Sequence, residues 1–282
     1  MSEIYRGRIA PTPSGPLHLG HARTFWTAQE RARERGGVVA LRNEDLDPDR
    51  CKPQFARQML ADLRWFGFAW QEGPDVGGPF APYVQSERRA LYLESWRSLA
   101  AAGAIYPSLH SRRDIAAALV APHDEPNALD AEPIFPPALR AAPSSFEMPD
   151  EPGDVNWRFR VPDGELITFV DGRHGPVSRT AGVDFGDFLI WRKDGYPSYE
   201  LAVVHDDHAM QITEVVRGDD LLTSTVRQIL LYRTLGWQPP AFYHCELMRD
   251  AEGRRLAKRT EAVSLARLRE AGRTPEELRA AW

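Results

Sequence analysis

The stretch Arg8–His21, R-I-A-P-T-P-S-G-P-L-H-L-G-H, constrains the fold more than any other part of this chain. A short apolar strand, Ile9–Ala10, runs into a loop carrying Pro11, Pro13, Gly15 and Pro16. The loop ends in His18-Leu19-Gly20-His21. Helical composition follows over Ala22–Arg35, and Gly36-Gly37 supplies its stop. Val38–Leu41 then has the pattern of a buried strand and leads into Arg42-Asn43-Glu44-Asp45-Leu46-Asp47. Strand, loop, helix and strand in this order make one right-handed crossover of a parallel sheet. Ligands on such sheets bind beyond the carboxyl ends of the strands. Thr12, His18, His21 and Glu44 are therefore expected at one edge.

The first N–H groups of a helix lack intrahelical partners and sit at the positive end of its dipole, so the start of this helix suits an anion. Two histidines three apart fall on one face of the opening turn and can point at one phosphate, while Gly20 leaves room for a flat ligand against the backbone. A His-x-x-His fragment alone is weak evidence; the run as a whole carries the signal. Glu44 is suited to hold an ammonium group, and Asp47, just before Pro48, reads as a helix N-cap.

At 282 residues the chain suits one large domain or one domain with an insertion, and its 43% hydrophobic content allows a full core. No apolar run approaches the roughly 20 residues of a membrane span. The start, Met1-Ser2-Glu3-Ile4-Tyr5-Arg6, lacks a signal-peptide pattern, and Cys51 and Cys245 are too few for a disulfide framework or a cysteine zinc site. The expectation is a soluble, cytoplasmic, monomeric protein with no membrane partner. A formal net charge of -5 argues against charge-driven, non-specific nucleic-acid binding. It leaves room for a local basic surface over Gly253–Arg273, where Arg254, Arg255, Lys258, Arg259, Arg267, Arg269 and Arg273 outnumber Glu261 and Glu270.

Further along, Pro53–Phe66 is an amphipathic helix, Gly73–Pro82 a loop, Ser86–Ala102 a second long helix and Ile105-Tyr106 a strand. Arg112–Leu119 has the composition of a short helix. Ala121–Asp154 holds eight prolines and eight acidic residues against one arginine, Arg140, and reads as an irregular insert that buries little. Val155–Val161, Leu166–Val170 and Phe188–Arg192 read as strands of an antiparallel insertion. Gln211–Val216 is a strand whose end delivers Arg217, Gly218, Asp219 and Asp220 to the same rim as His18. His205-Asp206-Asp207-His208 invites a metal reading, but sequence neighbours rarely coordinate one ion together, and a structural role is the better expectation. Leu222–Leu235 is a helix, Tyr243-His244 ends a strand, and Thr274-Pro275-Glu276-Glu277 starts a helix with a capping box.

Residues Ala10 to Thr24, A-P-T-P-S-G-P-L-H-L-G-H-A-R-T, resemble the H-I-G-H region of class I aminoacyl-tRNA synthetases, and the glutamyl branch in particular. Arg42-Asn43-Glu44-Asp45-Leu46-Asp47 is similar to that branch's R-x-E-D-x-D, and Tyr199–Asp220 to its Y-N-L-A-V-V-x-D-D-H…T-x-V-I-R-G-x-D run. Arg254–Arg259, R-R-L-A-K-R, stands where these enzymes carry K-M-S-K: Arg255, Leu256 and Ala257 replace Lys, Met and Ser, and Lys258 keeps the second lysine. The resemblance runs from about Arg6 to Arg259 and implies a Rossmann-like α/β parallel-sheet domain with an inserted acceptor-binding subdomain and a short helical C-terminal part. The corresponding division is residues 1–104 and 188–252 for the two halves of the nucleotide-binding domain, 105–187 for the insertion, including the segment 121–154, and 253–282 for the K-M-S-K-like loop and terminal helices.

The same resemblance implies the chemistry. ATP, with Mg²⁺, adenylates L-glutamate, and an RNA accepts the glutamyl group. His18, His21 and Lys258 are the expected catalytic donors, with Gly20 and Arg255 also at the ATP. Arg8, Ala10, Thr12, Glu44, Tyr199 and Arg217 are expected at the glutamate. Arg8 and Arg217 are both candidates for its side-chain carboxylate. The family's zinc site, C-x-C with a later Tyr and Cys, has Ser108 and His110 as its first pair here, and the later part, Ile134–Arg140, has no cysteine, so no zinc is expected. The chain stops at Trp282, without the anticodon-reading domain of a full glutamyl-tRNA synthetase. This resembles a truncated branch that activates glutamate without tRNA and transfers it to the queuosine base in the anticodon stem-loop of tRNA(Asp). A glutamate-activating ligase with another acceptor, ordinary tRNA(Glu) or a non-tRNA molecule, is the alternative.

Overall fold

A computed structural model describes residues 4–110, 134–142, 145–248, 264–280 and 282. Strand β1 (Arg6–Ile9), helix α1 (Leu19–Glu34) and strand β2 (Val38–Leu41) form the expected crossover, with β1 and β2 paired in parallel from Arg6↔Val38 to Ile9↔Leu41. β1 stops one residue short of Ala10, and His18 is the N-cap of a helix that starts three residues earlier than composition suggests.

Helix α2 (Pro53–Phe66) matches its predicted span. Pro53 occupies its first turn and Met59, Leu63 and Phe66 are buried along one side. It ends at Gly67, whose φ of 96° is the left-handed value a C-terminal glycine supplies. The long helix expected over Ser86–Ala102 is broken: a 3₁₀ turn, Gln85–Glu87, precedes α3 (Arg89–Ala101). Asp47 caps a turn rather than a helix. Its carboxylate accepts from the Arg50 backbone N–H at 3.2 Å, and the N-cap of α2 is Lys52.

Strands β3 (Ile105–Ser108), β4 (Asn156–Phe159) and β7 (Phe188–Trp191) form an antiparallel sheet, which therefore extends past the boundary drawn at 187. Between them β5 (Leu166–Asp171) and β6 (Gly175–Thr180) make a hairpin, of which only the first strand was evident in the sequence. The described part of the proline-rich segment holds a 3₁₀ turn, Pro137–Leu139, and neither α-helix nor strand. It buries more than its composition suggests. Phe135 is 3% exposed, and Arg140 pairs with Asp187 at 2.7 Å. The helix expected over Arg112–Leu119 lies outside the described residues.

Helix α4 (Tyr199–Ala209), which periodicity did not single out, is capped by Ser198, whose hydroxyl accepts from Leu201 N–H at 3.3 Å. Strand β8 (Glu214–Gly218) starts three residues later than expected and continues through Arg217. Helix α5 (Leu222–Leu235) has its predicted bounds, and β9 (Ala241–Cys245) pairs in parallel with β8 and, at Asp171↔Phe242, with β5. Thr213 N–H donates to Arg6 O at 2.9 Å just before β8, so β8 runs beside β1. The chain thus leaves β1 toward β2 on one side and toward β8 and β9 on the other. That reversal is the topological switch point at which such sheets open a crevice.

Two short helices, α6 (Leu265–Glu270) and α7 (Pro275–Ala280), close the chain. Leu265 and Leu278 are buried in one cluster with Leu17, Leu63 and Phe66, and Trp282 stacks on Phe66 with ring centroids 5.7 Å apart. The capping box at α7 is formed: Glu277 N–H donates to Thr274 Oγ1 at 3.3 Å and Thr274 N–H to Glu277 Oε2 at 3.2 Å.

Candidate active site

A cavity of about 490 Å³ opens at the switch point, where the ends of β1 and β8 meet the start of α1. Arg8, Ala10, Thr12, His18, Gly20, His21, Glu44, Tyr199 and Arg217 all line it. Residues from four stretches of sequence thus come together. Arg255 and Lys258 lie outside the described residues, but Met248 lines the cavity and Ser264 pairs with His18 through an isolated β-bridge. Leu265 N–H also donates to Leu17 O at 2.8 Å.

The two histidines stack, ring centroids 3.7 Å apart. His18 backbone N–H donates to His21 Nδ1 at 3.4 Å, so that nitrogen acts as acceptor and Nε2 is left to carry the ring proton. Gly20 lines the cavity and has a second task as well. A Cβ there would lie 3.1 Å from Cε1 and Nδ1 of His18, so the glycine makes room for the His18 ring itself. Phe25, one turn beyond His21, stacks on it at 6.2 Å and was not picked out in the sequence.

Glu44 comes to the rim because its backbone N–H continues the β1–β2 pairing, donating to Pro11 O at 3.1 Å. Its side chain is 7% exposed. Arg42, fully buried, donates to Glu44 Oε1 at 2.9 Å and to Asp207 Oδ1 at 2.6 Å. Arg8 lies 3.5 Å from the same Asp207 oxygen and donates to Val216 O at 2.9 Å. Burial pushes the Glu44 carboxyl up, and the guanidinium groups of Arg42 and Arg8 offset only part of that rise. Sequence reasoning missed this network. Arg42 stood in the quoted R-x-E-D-x-D run without a role, and Asp207 in the D-D-H run.

The remainder of that run is structural. Asp206 accepts from Arg88 at 2.6 Å, Gln85 at 2.8 Å and Tyr92 at 2.9 Å. His205 Nδ1 meets Ser95 Oγ at 2.7 Å, and His208 stacks on Trp237 at 3.9 Å. The partners of these carboxylates are distant arginines, not the histidines beside them. Among the described residues no group of three or more His, Cys, Asp or Glu side chains is placed to hold a metal. Ser108 is buried, and its hydroxyl accepts from Arg158 at 3.3 Å.

Arg217 is 4% exposed and reaches the cavity from β8, with Nη1 donating to Tyr199 Oη at 3.3 Å. Gly218 follows it because a Cβ there would lie 2.5 Å from Asp220 Oδ1 and 2.9 Å from Leu247. The cavity therefore holds two arginines and a phenol hydroxyl around one carboxylate, beside a histidine pair at a helix N-terminus. A carboxylate and an ammonium of one small molecule can be bound together there, next to an anion.

Residues 5–281 match the family model described as tRNA synthetases class I (E and Q), catalytic domain. A glutamyl-Q tRNA(Asp) synthetase of Symbiobacterium thermophilum is 49% identical over 96% of this chain and 83% of its own length. One from Nitratidesulfovibrio vulgaris is 46% identical over 95% and 82%. A solved glutamate tRNA ligase of Elizabethkingia meningosepticum, in complex with its amino acid, superimposes with a TM-score of 0.76 at 31% identity; it covers 91% of this chain, which spans 52% of that one. The chain belongs to the family of class I tRNA synthetase (E and Q) catalytic domains.

Proposed function

We propose that this cleft activates L-glutamate with ATP and that the enzyme transfers the glutamyl group to the queuosine base in the anticodon stem-loop of tRNA(Asp). The observation that carries the reading is the convergence of Arg8, Glu44, Tyr199 and Arg217 with His18, Gly20 and His21 on one cavity. It occurs in a chain 49% identical, over nearly its whole length, to a protein named for that reaction.

Adenylation joins the α-carboxylate of the amino acid to the α-phosphate of ATP and expels pyrophosphate. The protein has to align attacker and leaving group and to neutralise charge on the phosphoryl oxygens; it needs no nucleophile of its own. Glu44 takes the substrate ammonium. Arg217, with Arg8 and the Tyr199 hydroxyl beside it, takes the side-chain carboxylate, while Ala10 and Thr12 form the wall after β1. The α-carboxylate is then left facing the histidine pair. His18, His21 and the N-terminus of α1 bind the phosphates, and each donor of this kind typically contributes about 10²–10³ in rate. Lys258 and Arg255 join them from the segment whose described flanks, Met248 and Ser264, lie at the cavity and at His18. Mg²⁺ would enter with the nucleotide and would help neutralise the phosphate charge that His18 and His21 also meet. The enzyme acts as a monomer.

A transfer assay with labelled glutamate tests the acceptor. Queuosine-containing tRNA(Asp) should be charged, and the same tRNA lacking queuosine should not. Equal charging of both, or charging of tRNA(Glu), would overturn the assignment.

A further inference from the structure

A chain of buried hydrogen bonds reaches Arg217 from β5, behind the cavity. Asp171 is 2% exposed and His244, on β9, is fully buried. Asp171 Oδ2 accepts from His244 Nδ1 at 2.6 Å and from its backbone N–H at 3.1 Å; Oδ1 accepts the backbone N–H of Arg173 at 3.0 Å and of His174 at 2.9 Å. A carboxylate held by so many donors stays ionised and fixes the His244 proton on Nδ1. Nε2 is then a pure acceptor, and it faces Arg217 Nε at 3.3 Å, with the Thr225 hydroxyl 2.9 Å away. Arg217 Nη2 donates to Thr225 Oγ1 at 2.6 Å. Burial and the adjacent guanidinium keep His244 neutral, with a pKa of about 4.

A guanidinium has five N–H donors in a fixed plane. In Arg217 the Nε/Nη2 edge is spent on His244 and Thr225, and one Nη1 donor on Tyr199. One donor on each terminal nitrogen remains, the pair that makes a two-pronged fork for a carboxylate. We infer that Asp171, His244 and Thr225 are positioning residues that aim this fork at the substrate's side-chain carboxylate and so set the preference for glutamate over glutamine. An amide offers one acceptor and one donor, so against a fixed fork one N–H is left facing another. An arginine free to turn would yield to the amide. The inference rests on the proposed reading that Arg217 receives that carboxylate.

The test is pyrophosphate exchange with glutamate and with glutamine on the full chain carrying His244→Leu, His244→Gln, Thr225→Val or Arg217→Ala. His244→Leu removes the acceptor and should raise the KM for glutamate more than tenfold. It should lower the glutamate/glutamine ratio of kcat/KM to a similar extent, with the KM for ATP within twofold. His244→Gln, whose side-chain carbonyl can accept from Nε, should recover most of both. A merely structural role would move all parameters together and would not be rescued by glutamine. If His244→Leu does not fold, Thr225→Val, of equal shape, bears the test with an expected rise of at least threefold in the KM for glutamate. The inference is overturned if the folded variants leave the KM and the ratio within error while Arg217→Ala loses tenfold or more. If Arg217→Ala is also unaffected, the glutamate slot itself is misassigned.

Discussion

Replacing Arg42 by methionine removes the cation that holds Glu44 without changing the side chain's volume much. Arg42 is fully buried and touches Glu44 at 2.9 Å and Asp207 at 2.6 Å, with Asp206 at 3.7 Å. None of these carboxylates is more than 7% exposed. Removing one member of a buried ion cluster leaves uncompensated charge and costs about 3–5 kcal/mol. At about 2–4 °C per kcal/mol for a chain of this size, the midpoint of thermal unfolding should fall by about 6–20 °C. The functional effect follows from the same charges. Burial raises the pKa of Glu44, and Arg42 is the nearer of the two cations that oppose the shift. Without Arg42 the carboxyl moves further up, so the ionised form that the proposed reading pairs with the substrate ammonium is disfavoured. Each unit of that shift is about 1.4 kcal/mol. The KM for glutamate should rise more than tenfold at about pH 7. Since a raised carboxyl ionises as pH increases, the defect should shrink toward about pH 8.5. Exchange kinetics at the two pH values, with thermal melts, provide the assay. An unchanged melting midpoint would refute the stability argument. A KM defect of the same size at both pH values would mean that shape, not charge, was lost.

Three further outcomes are expected. Gly20→Ala places a methyl 3.1 Å from the His18 ring and should lower the rate of adenylation by about an order of magnitude, while a helical Gly-to-Ala change adds up to about 1 kcal/mol of stability; full activity would show that His18 tolerates displacement. His205 and His244 are both held neutral with pKa values of about 4, by burial first, so the unfolded chain binds more protons between about pH 4 and the unperturbed value near 6.5. Stability should be complete above about pH 6.5 and decline as pH falls toward 4; a flat melting midpoint over that range would contradict both assignments. Elemental analysis of the purified protein should find no stoichiometric zinc, and one zinc per chain would overturn the reading of Ser108 and His110.

The parts of the site legible in the sequence were those where local pattern and chemistry coincide. The crossover β1–α1–β2 could be read because glycines, prolines and apolar runs punctuate it. Its register then carried Thr12, His18, His21 and Glu44 to one rim. Helices α2 and α5 were readable because Pro53, Gly67 and Gly236 mark their ends. What could not be read depends on contacts between distant residues. Helix α4 has eight buried residues among eleven, so no polar face betrays its period. The roles of Arg42, Asp207, Asp171 and His244 arise only when β2, α4, β5 and β9 meet, and each looks like an ordinary polar residue in its own segment. The second task of Gly20, clearing the His18 ring, could not be read because the folded position of that ring is not a local property.

If glutamate and ATP meet in this cleft as proposed, activation should run without any RNA. The most direct measurement is pyrophosphate exchange without any tRNA, run across the amino acids on the wild-type chain and on Arg217→Ala. Exchange should occur with glutamate alone and fall more than tenfold in the variant, about 1.4 kcal/mol or more. Exchange supported by another amino acid, a requirement for tRNA, or undiminished exchange in Arg217→Ala would contradict the proposal.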